Sequence, residues 1–311
     1  MTDTPIDPLS GPAFETLWTD QIAPKLKLLE ADRKRAMRGA LLIWFGFLLL
    51  IGVEAALTGW LSDGRDWKPS DWVLYPTLAV GFLVGLMPLN RVALATRARL
   101  LESLTAPMGV AYTAKPATLP AFARLQQLGL LPKEKAVAFL DLLQGRRGGA
   151  QFSVCTAQFT AAAVGTAQRS DFVGQIFAIA FPRRFEGTTI VLREDGWRVQ
   201  FEAPKGLEPV GLEASRFETA FAVFSDDQVA ARALLTPTFM EQLAALETAF
   251  AGRHLRCAFW EGEFIAVIEG GLRFAGLSMF ERIDERIRAD RMAADLRAVL
   301  ALTDAIQAAT R

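Results

Sequence analysis

The chain is 311 residues long, enough for one or two folded domains, and its 34 basic residues balance its 34 acidic ones. Zero net charge excludes recognition of nucleic acid through a global positive field, and a single histidine, His254, excludes multi-histidine metal centres. Hydrophobic residues reach 51%, slightly high for a soluble protein, and the excess is concentrated in two segments.

Residues 1–24 are polar and acidic, without the apolar stretch and small-residue cleavage site of a signal peptide. Helical periodicity sets Phe14, Leu17, Trp18 and Ile22 on one face, followed by Leu26 and Leu29, and Pro24 either kinks this helix or starts a second. Ala40 to Trp60 (ALLIWFGFLLLIGVEAALTGW) then carries one charge, Glu54. About 20 apolar residues cross a bilayer, so this segment suffices. A second, from Trp72 to about Val92, is uncharged until Arg91. The link LSDGRDWKPSD is short and rich in turn residues, which makes the two spans an antiparallel hairpin.

Lys25, Lys27, Arg33, Lys34, Arg35 and Arg38 precede the first span, and Arg91, Arg97 and Arg99 close the second. The link has only Arg65 and Lys68, offset by Asp63, Asp66 and Asp71. Positive-inside asymmetry therefore predicts a multi-pass inner-membrane protein with both termini cytoplasmic. Trp60, Trp67, Trp72 and Tyr75 form the aromatic belt at the other boundary. Glu54 lies about 9 Å from the Trp60 end at about 1.5 Å per residue, so it reads as a snorkelling or interhelical hydrogen-bonding carboxylate. Gly81 and Gly85 form a GxxxG pair that packs either the hairpin itself or a homo-oligomer.

Residues 93–104 continue as a helix with Leu100, Leu101 and Leu104 apolar, forming with the N-terminal helix a short stalk or lying on the membrane surface. Pro107, Gly109, Pro116 and Pro120 mark a break, and residues 120–130 and 133–143 read as short helices. Gly145 to Gly149 closes a linker. The expected division is a cytoplasmic helical segment (1–39), a transmembrane hairpin (40–92), a stalk and linker (93–150) and a cytoplasmic α+β domain (151–311).

In that last region strands are expected at Phe152 to Phe159, Asp171 to Phe181, Thr188 to Arg193, Trp197 to Phe201 and Phe217 to Phe224. Ser225-Asp226-Asp227 caps a helix running to Leu235, and Thr236-Pro237 opens another with Phe239, Leu243, Leu246 and Phe250 on one face, stopped by Gly252. His254 to Trp260 and Glu263 to Ile268 flank Glu261-Gly262, a two-residue hairpin turn. A final helix spans about Asp284 to Ala309. Strands and helices cluster rather than alternate, which indicates an α+β fold with a mostly antiparallel sheet.

The candidate chemistry is thin. Cys155 and Cys257 lie in strands and read as buried, reduced thiols. His254 opens a strand with no Ser or Cys partner at a recognisable spacing and reads as a surface histidine rather than a general base. Asp226 and Asp227 suit a helix cap better than metal ligation or acid–base work. Arg183, Arg184 and Phe185 make a small basic-aromatic patch, either a solvated strand end or a site for lipid headgroups or a partner. No Walker loop, GxGxxG after a strand, GxSxG, HExxH or CxxC occurs. No catalytic, cofactor-binding or metal-binding residue is assigned. The reading is a membrane-anchored binding or scaffolding module. The alternative is an enzyme acting on a lipid or membrane-linked substrate through Asp226, Asp227 or Glu54.

The stretch Phe221 to Met240 (FAVFSDDQVAARALLTPTFM), with Gly174 and the Phe181 to Thr188 run FPRRFEGT, resembles an uncharacterised bacterial membrane family built on domain of unknown function 3137. That family has a strand and a D-x-x-E-A-R-x-L-L-T-P-like helix start here, and a strand ending in F-x-G-T. Ala230 departs from its usual glutamate, and residues 151–168 match poorly. The resemblance implies the plan helix, two spans, helix and β-rich domain, and a LemA-type membrane protein as partner. It implies no activity.

Overall fold

The computed structural model describes residues 9–61, 71–131, 136–160, 171–180, 187–193, 206–212, 215–249, 252–270 and 282–309. They form two compact units, one of residues 1–103 and 277–290, the other of residues 104–276 and 291–311.

The first unit is helical. Helix α1 (Gly11–Leu17) passes through a π turn (Trp18–Ile22) into α2 (Ala23–Leu61), a helix of 39 residues. The π turn comes just ahead of Pro24, whose ring would clash with the carbonyl four residues back in a regular helix. The Ala23 amide instead bonds back to the Trp18 carbonyl. Phe14, Leu17, Ile22, Leu26 and Leu29 are buried, as their periodicity requires. Helix α3 (Asp71–Thr105) runs 35 residues through Pro76 and Pro88 without ending. The two helices lie antiparallel, since Lys25 Nζ donates to Ser103 Oγ at 3.1 Å near one end and Trp44 Nε1 to the Phe82 carbonyl at 3.4 Å farther along.

Among the described residues the second unit is built on a nine-stranded antiparallel sheet. Its strands are β1 (Ala111–Thr113), β2 (Ala136–Arg147), β3 (Ala150–Thr160), β4 (Asp171–Ala180), β5 (Thr188–Arg193), β6 (Glu208–Pro209), β7 (Phe221–Ser225), β8 (Gly252–Trp260) and β9 (Glu263–Gly270). Their order across the sheet is β1-β2-β3-β4-β9-β8-β5-β7-β6. This is the expected α+β architecture. Among the described residues five helices accompany it: α4 (Pro120–Gln127), α5 (Ser215–Ala220), α6 (Gln228–Leu234), α7 (Pro237–Ala249) and α8 (Arg286–Ala309), whose first residues belong to the helical unit.

Both faces of the sheet are covered. On one, Cys155, Phe159, Phe172, Ile176, Ile190 and Ile265 cluster with Leu125 of α4 and with Leu130. On the other, Phe239 of α7 packs on Phe259 and Phe264, with ring centroids 5.3 and 5.9 Å away. Burying each such side chain contributes roughly 1.5–3 kcal/mol. Two-sided burial explains why Leu255 through Phe259 are all buried, where strict alternation would expose every second residue. The predicted β8–β9 turn is present, with Glu261 at φ 48° and Gly262 at φ 82°, the positive pair of a type I′ turn.

Three expectations need correction. Residues 133–143 were expected to be helical, yet 136–147 form β2, and two strands precede residue 151. The Ala- and Leu-rich composition favours a helix in isolation, but pairing with both β1 and β3 overrides that weak preference. A bulge sets Asp141 and Leu142 against Cys155 alone, and Asp141 takes φ 50° with its carboxylate 2.7 Å from the Tyr112 hydroxyl. Gly145 belongs to β2, and Gly148 and Gly149 turn the chain into β3 rather than ending a linker. Finally, Phe217 to Ala220 close helix α5, and the strand expected there starts at Phe221. The strand expected at 197–201 lies outside the described residues.

Candidate functional site

The helical hairpin carries the most unusual surface. Leu41, Leu42, Phe45, Leu48 and Leu49 of α2, and Leu78, Phe82, Leu83 and Met87 of α3, are exposed. Only 6% of the most apolar window in the α1–α2 helical run and 17% of that in α3 are buried. Both are long and apolar enough to cross a membrane. A core helix of a soluble protein would show the reverse, with the apolar stripe turned inward. Trp60 and Tyr75 stand exposed at the far ends of the helices. Trp67 lies outside the described residues, as does the side chain of Trp72.

The GxxxG pair packs the hairpin itself. A Cβ on Gly81 would meet the Phe47 ring at 2.6 Å, and one on Gly85 would overlap the Trp44 indole. The Trp44 ring also stacks on Phe82 at 6.1 Å and 11°. The glycines are therefore needed for space, letting two aromatic rings of α2 close onto the backbone of α3. Glu54 is half-buried on α2.

Above the apolar stretch is a polar knot that the sequence reading missed. Glu30 and Arg33 are buried, and two guanidinium nitrogens meet the carboxylate at 2.7 and 2.9 Å. The amide of Ile283 donates to the same carboxylate at 3.0 Å. The Arg33 hydrogen bonds hold the Glu30 carboxyl below the usual carboxylate range, against the opposing effect of burial. Beside it, Arg282 grips Asp284 at 2.8 and 3.0 Å and lowers that carboxyl too. Arg286 does the same to Glu15 while lying 6.0 Å over the Phe14 ring. The i,i+3 spacing of Glu30 and Arg33 was a readable signal; the contact from residue 283 was not.

In the sheet unit, the residues singled out for chemistry hold backbone instead. Asp227 caps α6, accepting from the amides of Val229 and Ala230 at 2.9 and 3.0 Å. Asp226 accepts from the Thr188 amide at 2.6 Å. The Ser225 hydroxyl sits 3.0 Å from the Thr188 carbonyl and 3.0 Å from Thr189 Oγ1. Gly187 takes φ 84°, and a Cβ there would approach Asp226 Oδ1 to 2.6 Å. The G-T and S-D-D segments, separate in sequence, thus meet at one end of the β5–β7 pair. Glu54, the third carboxylate of the enzyme alternative, belongs to the helical unit.

His254 is half-buried at the second bulge of the sheet, between Arg253 and Arg256, with φ 54°. The next buried charge, Arg256, donates to the Leu130 carbonyl at 2.8 Å and lies 5.8 Å over Phe172, a packing role. Cys155 and Cys257 are free and buried; burial pushes the Cys155 thiol up to about 12 and raises Cys257 as well. Arg183, Arg184 and Phe185 lie outside the described residues. Among the described residues no three His, Cys, Asp or Glu side chains gather as a metal site requires.

No curated protein matches the sequence. The crystal structure of the mycobacterial trehalose monomycolate transport factor A, TtfA, is similar over 65% of this chain and 95% of that one, at 11% identity and a TM-score of 0.35. Residues 170–307 match the family described as "Protein of unknown function (DUF3137)". That stretch contains Gly187, Asp226 and strands β4 to β9, and over those residues the chain is similar to the DUF3137 family.

Proposed function

We propose that this protein is a membrane-tethered module that binds or scaffolds a partner at the cytoplasmic face of the inner membrane. The observation that carries the reading is the hairpin of α2 and α3, whose leucine and phenylalanine side chains point outward along both helices. Exposure on this scale suits hydrocarbon and is unfavourable in water. The charge flanks support a two-span topology with both termini inside, since Lys25 to Arg38 and Arg91 to Arg99 outnumber Arg65 and Lys68. The cytoplasmic mass would then be the sheet unit, with a membrane-associated protein, such as a LemA-type protein, as partner. The self-packed glycines leave any homo-oligomer to form through another surface.

That Asp227 caps α6 and Asp226 holds the Thr188 amide favours binding over catalysis. In bacterial membranes the full chain should resist carbonate extraction and dissolve in detergent. A cysteine at Ser62, between the spans, should react with an impermeant maleimide from outside. One at Ser10 should react only after the membrane is opened. Release by carbonate, or labelling of Ser10→Cys from outside, would overturn the reading. So would substrate turnover abolished by a single polar substitution.

A further inference from the structure

One groove on the exposed surface has a polar landmark. Arg38, Leu41, Leu42, Trp44, Phe45 and Leu48 line an open groove of about 700 Å³. Arg38, Leu41, Leu42, Phe45 and Leu48 recur at helical spacing along one face of α2. At about 1.5 Å per residue, Arg38 to Leu48 covers about 15 Å, the depth of one leaflet of a hydrocarbon core about 30 Å thick. Arg38 stands at the polar end, followed at once by the apolar run. Of the arginines that precede it on the helix, Arg33 is paired with Glu30 and Arg35 with Asp32. Arg38 is exposed and has no acidic partner among the described residues.

We propose that this groove holds one anionic phospholipid of the inner leaflet, its phosphate on the Arg38 guanidinium and an acyl chain along Leu41, Leu42, Phe45 and Leu48. The assignment rests on the membrane reading above. A guanidinium keeps its charge and offers a planar pair of donors that matches a phosphodiester. An arginine at the cytoplasmic boundary also gains from the anionic surface of that leaflet. A second copy of the chain is the poorer occupant. A two-fold contact through this groove, with both copies oriented alike in the bilayer, would set Arg38 against its own copy and leave both charges uncompensated.

The test is native mass spectrometry of the full detergent-solubilised chain equilibrated with equimolar dioleoyl phosphatidylglycerol and dioleoyl phosphatidylcholine. Wild type should retain phosphatidylglycerol preferentially. Arg38→Gln should weaken that retention about fivefold, the loss of one basic side chain near the surface. Arg35→Gln, which removes a neighbouring charge already paired with Asp32, should leave it unchanged. Equal retention of the two lipids, an Arg38→Gln variant that keeps the wild-type preference, or a lipid-free dimer in place of the complex overturns the proposal. A chain that stays in carbonate-washed membranes yet shows no preference loses only the lipid site. A chain released by carbonate loses the membrane reading itself.

Discussion

The two units use the same apolar side chains in opposite ways. In the sheet unit Phe159, Phe239, Phe259 and Phe264 are fully buried, and helices cover both faces of the strands. In the helical unit Leu42, Phe45, Leu49 and Phe82 face outward, and the buried positions lie toward the polar ends of the helices, at Ile22, Leu26, Leu29 and Leu101. A phenylalanine therefore has no fixed preference for the interior. It follows the less polar medium, which is the protein core in one unit and, on our reading, lipid in the other. Among the polar groups that the helical unit buries, Glu30 and Arg33 are held by close pairing.

Paired substitutions sharpen this contrast. The largest effect should come from Phe264→Ala, which opens a cavity beside Phe239 and Phe259 and should cost the sheet unit about 3–5 kcal/mol in urea unfolding. Leu49→Ala, at a position 60% exposed, should change stability by less than about 0.5 kcal/mol. Equal losses would mean that Leu49 faces a protein core.

Next in size is Glu30→Ala, which strands the buried Arg33 and should cost about 3 kcal/mol in thermal unfolding of the solubilised chain. The Glu30 carboxyl is lowered from its ordinary value of 4.5, so its contribution is fully present above that pH and is lost as pH falls through the depressed folded value. Glu30→Gln should flatten this acid limb of the stability profile. An unchanged limb would assign the acid sensitivity to Asp284 or Glu15, which are lowered as well.

Gly85→Ala should cost about 1–3 kcal/mol, because the new methyl overlaps the Trp44 indole. Gly46→Ala, where a Cβ meets nothing within 4 Å, should instead stabilise the helix by up to about 1 kcal/mol. Opposite signs in thermal unfolding would separate a spatial need for glycine from a general one. The smallest loss, about 1 kcal/mol, is expected for Asp227→Ala, which leaves the Val229 and Ala230 amides uncapped.

Local chemistry explains what could be read in the chain. The two apolar helices, the Asp227 cap, the Pro237 start of α7 and the Glu261-Gly262 turn each depend on neighbours a few residues away. Strand β2 does not. Its AVAFLDLL run carries good helix formers, and only the partners on β1 and β3 and the bulge at Asp141 make it a strand. The direction of the GxxxG pair was equally hidden, because glycine spacing cannot say whether the opposing aromatic comes from the same chain. At the candidate sites, the SDD cap was legible, but its union with Gly187 required the β5–β7 pairing. The Glu30–Arg33 spacing of the polar knot was legible, but its third donor comes from residue 283, a contact that leaves no periodic trace.

That long reach also has a meaning in time. Glu30 and the Ile283 amide are 253 residues apart in the chain. At about 5–20 residues per second of synthesis, roughly 10 to 50 s separate the emergence of the carboxylate from that of its last donor. The whole sheet is made within that interval. A nascent chain can therefore form the Glu30–Arg33 pair early, but the helical unit is complete only when the C-terminal segment arrives. A truncated or stalled product would keep its apolar helices and lack the clasp, a chemical difference that quality-control machinery could read.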